Sequence, residues 1–355
     1  MYLHILSLIL LAQSFFACDQ LEQSTQLTET KGNTQPKIIP AKSIPAAKNI
    51  VFQSRDFGQT WEDVSAGLPD SLSVGRVVAD GREIVLASGS KLFRSSTTTK
   101  DPIWETEVLQ NMEITNIFLG QTGLYVSCYE KGFFKEIPQG DLWIPMHNTL
   151  KDKTVRSVLE ISDGTLFVGV ESGLFKSVDS GVSWKQVIND TGINSLVAAD
   201  AAGTELVCGT YEGLMHSADG GEHWTLVLTE DFGAWHSKRV AGGLVTITEG
   251  GTWKDPSRSN RMRISTNGGK TWQRMDEDLP QVPFLYQMDE SGPSSRRIYA
   301  IEQAGKYLFC STNAGIFRSD NMGKNWALMS LSIGNEMFEL VVSGQILYAI
   351  HVVGC

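Results

Sequence analysis

The chain has 355 residues, 41% of them apolar, and a formal net charge of −10. That is enough apolar side chain for a sizeable core. The acidic balance argues against a nucleic-acid partner, whose phosphates need a basic face.

Residues 1–17, MYLHILSLILLAQSFFA, contain no Lys, Arg, Asp or Glu. The run is mostly apolar but shorter than the roughly 20 residues that span a bilayer, so it reads as a signal peptide. The segment Phe15-Phe16-Ala17-Cys18 resembles a bacterial lipobox, with Phe15 where Leu is usual and no Lys or Arg ahead of the apolar run. That resemblance implies lipidation of Cys18 and an exported lipoprotein of the cell envelope, in the outer membrane or periplasm. Residues 18–48 are rich in Gln, Thr, Ser, Lys and Pro and carry no apolar period, as expected of a disordered tether. A flexible segment of this length has a reach of ~30 Å.

From residue 49 onward one octet recurs: SRDFGQTW at 54–61, SVDSGVSW at 177–184, SADGGEHW at 217–224, STNGGKTW at 265–272 and SDNMGKNW at 319–326. Its pattern is Ser-x-Asp/Asn-x-Gly-x-x-Trp. Ahead of each later octet lies a pair of short apolar runs joined by a Gly-bearing turn, such as TLFVGVESGLFKS, which is a hairpin signature. Another apolar run precedes each hairpin and one follows each Trp, giving four strands per unit. Trp61, Trp104, Trp143, Trp184, Trp224, Trp272 and Trp326 are spaced by 43, 39, 41, 40, 48 and 54 residues. Two units, SSTTTKDPIW and KEIPQGDLW, keep the Trp without the octet. Seven four-stranded units predict an all-β, seven-bladed β-propeller over residues 49–355. The chain's end, FELVVSGQILYAIHVVGC, offers two strands and its start, AAKNIVFQSRDFGQTW, the other two of one shared blade, so N- and C-terminal strands close the ring.

In this reading the octet is structural. Its Asp or Asn fixes a turn between third and fourth strands, its Gly permits positive φ, and its Trp packs between blades. Asn267 and Asn321 replace Asp in two octets, which argues against metal binding through charge. No CxxC occurs, and Cys128, Cys208 and Cys310 fall in different units at a similar register, as small buried hydrophobes would. No metal and no cofactor are expected.

The octet resembles the Asp-box, or BNR repeat, of sialidases and many other propellers. In that family the box residues are not catalytic. The Phe/Tyr-Arg-Ile-Pro motif of sialidases does not occur here, and xyloglucan hydrolases with such boxes use two tandem propellers where this chain has one. The blade number and the Gly-Leu-Pro after Trp61 are more similar to the photosystem II assembly-factor group and its relatives in non-photosynthetic bacteria. That resemblance implies a scaffold for other proteins, although this acidic chain lacks an obvious arginine-rich patch.

Candidate binding residues gather where the repeat is broken. Between Trp224 and Trp272 a segment read as an inter-blade loop carries Trp235, His236, Lys238 and Arg239. The following turn between second and third strands is long and carries Trp253, Lys254, Arg258 and Arg261. Arg263 stands two residues before the box Ser, where other units have Phe52, Phe93, Phe175, Met215 or Phe317. The next long inter-blade segment brings Phe284, Tyr286, Arg296 and Arg297. Aromatics beside cations suit a sugar ring, a carboxylated glycan or an acidic partner loop. Tyr129, Glu130, Glu171, Tyr211 and Glu212 belong to other second-to-third-strand turns on the same expected face. His216 and His223, in or beside a box, read as surface residues of the opposite face.

No residue is assigned a catalytic role. The expected function is a non-enzymatic scaffold or assembly factor that binds a protein partner, with a glycan-binding protein or a glycoside hydrolase of sialidase-like propeller type as the alternative. Membrane contact is expected through the lipid on Cys18.

Overall fold

A computed structural model of the chain describes residues 49–352, except 71, 100–101, 138–141, 147–149, 151, 230–232, 250–260, 280–297 and 330–336. The expected signal peptide, Cys18, the tether and Cys355 lie outside the described residues. All regular structure among the described residues is β, arranged as seven four-stranded antiparallel sheets. We number them as blades in chain order. The innermost strands are Arg76–Ala79, Ile114–Leu119, Val155–Glu160, Ile193–Ala198, Ala234–Val240, Ile298–Ala304 and Phe338–Ser343 for blades one to seven. Each of these packs on the innermost strand of both neighbouring blades, so seven strands enclose a central channel.

The seventh blade is shared by the two ends of the propeller. Its strands, from the axis outwards, are Phe338–Ser343, Ile346–His351, Val51–Ser54 and Glu62–Asp63. Val51 pairs with Ile350 and Ser54 with Leu347, which closes the ring as the sequence predicts.

Seven apolar clusters hold the ring, one at each seam between blades. Each takes one tryptophan of the ladder. Trp184 of blade three, for example, packs with Tyr125 and Phe133 of blade two, and its ring lies 6.3 Å from that of Phe133. The Trp184 indole N–H donates to Met146 O at 3.0 Å, across the same seam. Cys128, Cys208 and Cys310 are buried in three different seams.

The box is a self-contained turn. Asp179 accepts from the Ser183 amide at 2.9 Å, from Ser183 Oγ at 2.6 Å and from Ser177 Oγ at 2.8 Å. These donors hold its carboxyl down at about 2. The Gly181 amide donates to Ser177 Oγ at 2.8 Å, with φ at 85°, a conformation that favours glycine. Asn267 takes the same place and accepts from Ser265 Oγ and the Thr271 amide, both at 3.0 Å. An amide oxygen thus replaces the carboxylate without altering the turn.

A second inter-blade device adjoins the box. The residue before the box Ser, on the third strand, reaches the next blade. Lys176 donates to Gly220 O at 2.9 Å and pairs with Glu222 at 2.6 Å. Arg318 donates to Phe57 O at 2.8 Å. In blade four the position is His216, which is 6% exposed, contacts Glu205 of its own blade at 2.5 Å and would lie 3.4 Å from a Cβ on Gly269 of blade five. His216 is therefore a seam residue and not the surface histidine that its position in the sequence suggests, whereas the His223 side chain is 88% exposed.

Candidate functional site

Antiparallel alternation places all boxes on one face, called lower. The upper face carries the starts of the innermost strands and the turns between second and third strands. A β-bulge lies near the start of five innermost strands, between Ile114 and Asn116, Val155 and Ser157, Ile193 and Ser195, Ala234 and His236, and Ile298 and Ala300. Bulges re-aim a side chain. In blades three, four and five the bulged residues are Arg156, Asn194 and Trp235.

These three build a cluster with two turn residues. The Arg156 guanidinium donates to Asn194 Oδ1 at 3.2 Å and to the Tyr211 hydroxyl, and pairs with Glu171. Tyr211 O–H donates in turn to Glu171 Oε2 at 3.0 Å. The Arg156 guanidinium lies 5.3 Å from the centre of the Tyr211 ring, and the Trp235 ring lies 6.2 Å from it on the other blade. Gly192 leaves room for the ring: a Cβ there would come 2.6 Å from it. Desolvation pushes the Tyr211 phenol above its ordinary value and Arg156 opposes the shift. The Arg156 side chain is 30% exposed and Trp235 is 37% exposed, so the cluster is ordered but open.

Of the residues singled out from the sequence, Tyr211 and Trp235 meet here. Tyr129 stands on the second blade's turn of the same face and is 55% exposed. Arg156 and Asn194 were not singled out, because each reads as an ordinary strand residue and the bulge that turns it upward leaves no sequence mark. Glu171 is spent on Arg156 and Tyr211.

The segment 234–240 is not an inter-blade loop. It is the innermost strand of blade five, so Trp235, His236, Lys238 and Arg239 all belong to a strand beside the channel. A strand beside a wet channel carries polar side chains where a buried strand would alternate, which is why it reads as a loop. Arg261 and Arg263 lie on the third strand of the same blade, both half-buried. Arg261 is 3.6 Å from the buried Asp276. Trp253, Lys254, Arg258, Phe284, Tyr286, Arg296 and Arg297 lie outside the described residues.

The channel holds a second polar group. Lys238 pairs with Glu302 of blade six. His236 is open to the lumen but ringed by protein. Poor solvation there, with the charges of Lys238 and Arg76, brings its imidazole down to about 4. Burial pushes Glu339 of blade seven above the usual carboxylate range, against the pull of Lys238 and Arg76. Among the described residues no group of three or more His, Cys, Asp or Glu is placed to hold a metal ion.

Residues 263–274 match the family model described as BNR/Asp-box repeat. No curated protein matches the chain. Among solved structures, the GH74 xyloglucanase of Xanthomonas campestris superposes with a TM-score of 0.52 at 18% identity, covering 76% of this chain and 46% of that one. The extracellular domain of a B. thetaiotaomicron protein described as a hybrid two-component system gives 0.54 at 14%, covering 87% and 39%. PorZ, a surface component of the type-IX secretion system of Porphyromonas gingivalis, gives 0.50 at 11%, covering 80% and 38%. The chain thus spans less than half the length of each. At these identities the likeness is one of fold.

Proposed function

Starting from a seven-bladed β-propeller that carries BNR/Asp-box repeats and spends them on holding its ring, we propose that the chain is a non-enzymatic scaffold that binds a protein partner through its upper face. The observation that carries this reading is the Arg156–Tyr211–Trp235 cluster. Tyr, Trp and Arg are the residues that dominate protein interfaces. Here Arg156 and Tyr211 are pre-ordered by hydrogen bonds that join blades three and four, and the Trp235 ring lies against Tyr211, so less side-chain entropy remains to be lost on binding. The exported, lipid-anchored placement at Cys18 belongs to the same proposal. The extracellular or surface setting of the propellers from B. thetaiotaomicron and P. gingivalis supports export.

The test is cross-linking in the native envelope, wild type against Trp235→Ala and Arg156→Ala. A partner recovered with the wild type and lost in both variants is expected. An identical cross-linked set in all three would overturn the reading. The Tyr211–Trp235 ring pair beside polar Asn194 also suits a sugar ring. A glycan panel with a hydrolysis readout tests that second reading. Labelling with a palmitate analogue that persists in Cys18→Ser would remove the anchor.

A further inference from the structure

The outer rim of blades one to three carries aliphatic side chains that nothing among the described residues covers. We propose that this rim is a lipid-contact surface, by which the propeller rests on the bilayer that the lipid on Cys18 enters. The inference rests on the lipid-anchor part of the scaffold reading and adds to it a second membrane contact, made by the folded domain.

Ile103, Leu142, Ile144, Val178 and Val182 are 46% to 77% exposed. They sit on elements that touch in turn. The outer strand of blade two is Leu142–Pro145, and its Trp143 indole N–H donates to Glu107 on the outer strand of blade one, Glu105–Val108, at 2.9 Å. Met146 follows that strand and meets the box of blade three. Its carbonyl accepts from the Trp184 indole, and its side chain lies against Gly181. Val178 and Val182 belong to that box, and Ile103 precedes Trp104 of blade one. Other units spend these places on polar residues. Ile144 follows its ladder Trp where Glu62, Lys185 and Gln273 follow theirs. Val182 follows its box Gly where Gln59, Glu222, Lys270 and Lys324 stand in the other four boxes.

Three features select a bilayer over a protein. A side chain as exposed as Val182, at 71%, stands proud of the surface. Acyl chains close around such a group, whereas a rigid partner needs a pocket for each. The group is wholly aliphatic and lacks the Tyr, Trp and Arg that dominate protein interfaces. The edge of Leu142–Pro145 is also closed to strand addition. The Met146 amide donates inward to Phe133 O at 2.9 Å, so Pro145 beside it turns outward, where it has no N–H to offer. One lipid chain gives only marginal attachment, and stable attachment takes a second signal. Residues 18–48 separate Cys18 from Asn49, and a flexible chain of that length reaches ~30 Å, so lipid and rim can meet one bilayer. Val178 and Val182 belong to the lower face with their box. Contact there leaves the Arg156–Tyr211–Trp235 cluster of the upper face open to a partner.

The test uses the mature chain, residues 18–355, carrying Cys18→Ser so that no lipid contributes. The probe is neutral phosphatidylcholine vesicles at millimolar lipid. The chain with its native rim is expected to co-sediment with them. The double variant Ile144→Lys/Val182→Lys, which places Lys where other units carry Lys185 and Lys270, is expected to bind about tenfold less. Leu328→Lys, on the outer strand of blade six and 58% exposed, should bind like the native rim. An unchanged thermal midpoint reports an intact fold in each variant. A bimane label on Ile144→Cys should be quenched by brominated lipid, and one on Leu328→Cys should not. Absence of co-sedimentation, equal binding by the native rim and the double variant, or equal quenching at the two labelled positions would overturn the proposal. So would self-association that the double variant loses, which would assign the rim to a second copy of the chain. Palmitate label on Cys18 with no vesicle binding removes the rim contact and leaves the anchor. Vesicle binding with no label on Cys18 leaves the rim contact and removes the anchor.

Discussion

The guanidinium of Arg156, on blade three, lies 5.3 Å from the ring centre of Tyr211, on blade four, and donates to its hydroxyl. The pair bridges two blades on the open face. Arg156→Ala is expected to cost about 1 kcal/mol or less, because both partners are partly solvated and exposed ion pairs contribute little. Loss of partner binding with a nearly unchanged denaturation midpoint would separate a recognition role from a structural one. Arg156→Lys keeps the charge but not the fork, and binding should recover only in part.

The box turns should tolerate an amide and not a methyl. Asp179→Asn is expected to leave the thermal midpoint almost unchanged, since Asn267 and Asn321 accept the same bonds. Asp179→Ala leaves the Ser183 amide without its acceptor and should lower the midpoint. The carboxyl is depressed from 3.8 to about 2, so its contribution is complete above pH 3.8 and is lost as pH falls towards 2. Calorimetry at pH 7 and pH 3 should show the Asp179→Ala difference narrowing on the acid side.

His236 acts in the same sense in a higher pH window. Its folded value of about 4 lies below the ordinary 6.5. The unfolded chain therefore binds the proton first, and stability falls as pH drops from 6.5 towards 4. His236→Gln should be neutral at pH 7.5 and more stable than wild type at pH 5. A midpoint difference that does not vary with pH would contradict this environment.

Seam packing at blade four is equally testable. A Cβ on Gly209 would come 2.3 Å from Ala234 O and 2.5 Å from Ser195 Oγ. Gly209→Ala is expected to destabilise by about 1–3 kcal/mol through overpacking. Gly81, with nothing within 4 Å of the same probe position, serves as the control. Chemical denaturation of both variants reads the difference.

Burial pushes the Cys128 thiol up to about 11, and Cys208 and Cys310 are fully covered. Iodoacetamide should label none of the three in the folded protein and all three in denaturant, as read by peptide mass mapping.

The seven tryptophans and their spacing made the blade number legible, and the terminal strand pairs made the closure legible. Both depend on apolar periodicity, which burial writes into sequence. The candidate site is legible only in part. Trp235 and Tyr211 stand out because they break the repeat. Arg156 and Asn194 do not, because a bulge is a backbone event that any residue can occupy. The innermost strand of blade five was hidden for a related reason: beside a wet lumen, WHSKRV has no apolar face to show.

The pairing of Val51 with Ile350 has a consequence for the order of events in synthesis. The two partners lie at opposite ends of the folded chain, so the ring has an unpaired gap until its final strands leave the ribosome. Contacts this distant form slowly. Until then the edge at Val51–Ser54 is a template for another chain's strand. The seam that completes the molecule is therefore also where two nascent copies would exchange strands, and its closing speed sets how much of the newborn protein escapes that fate.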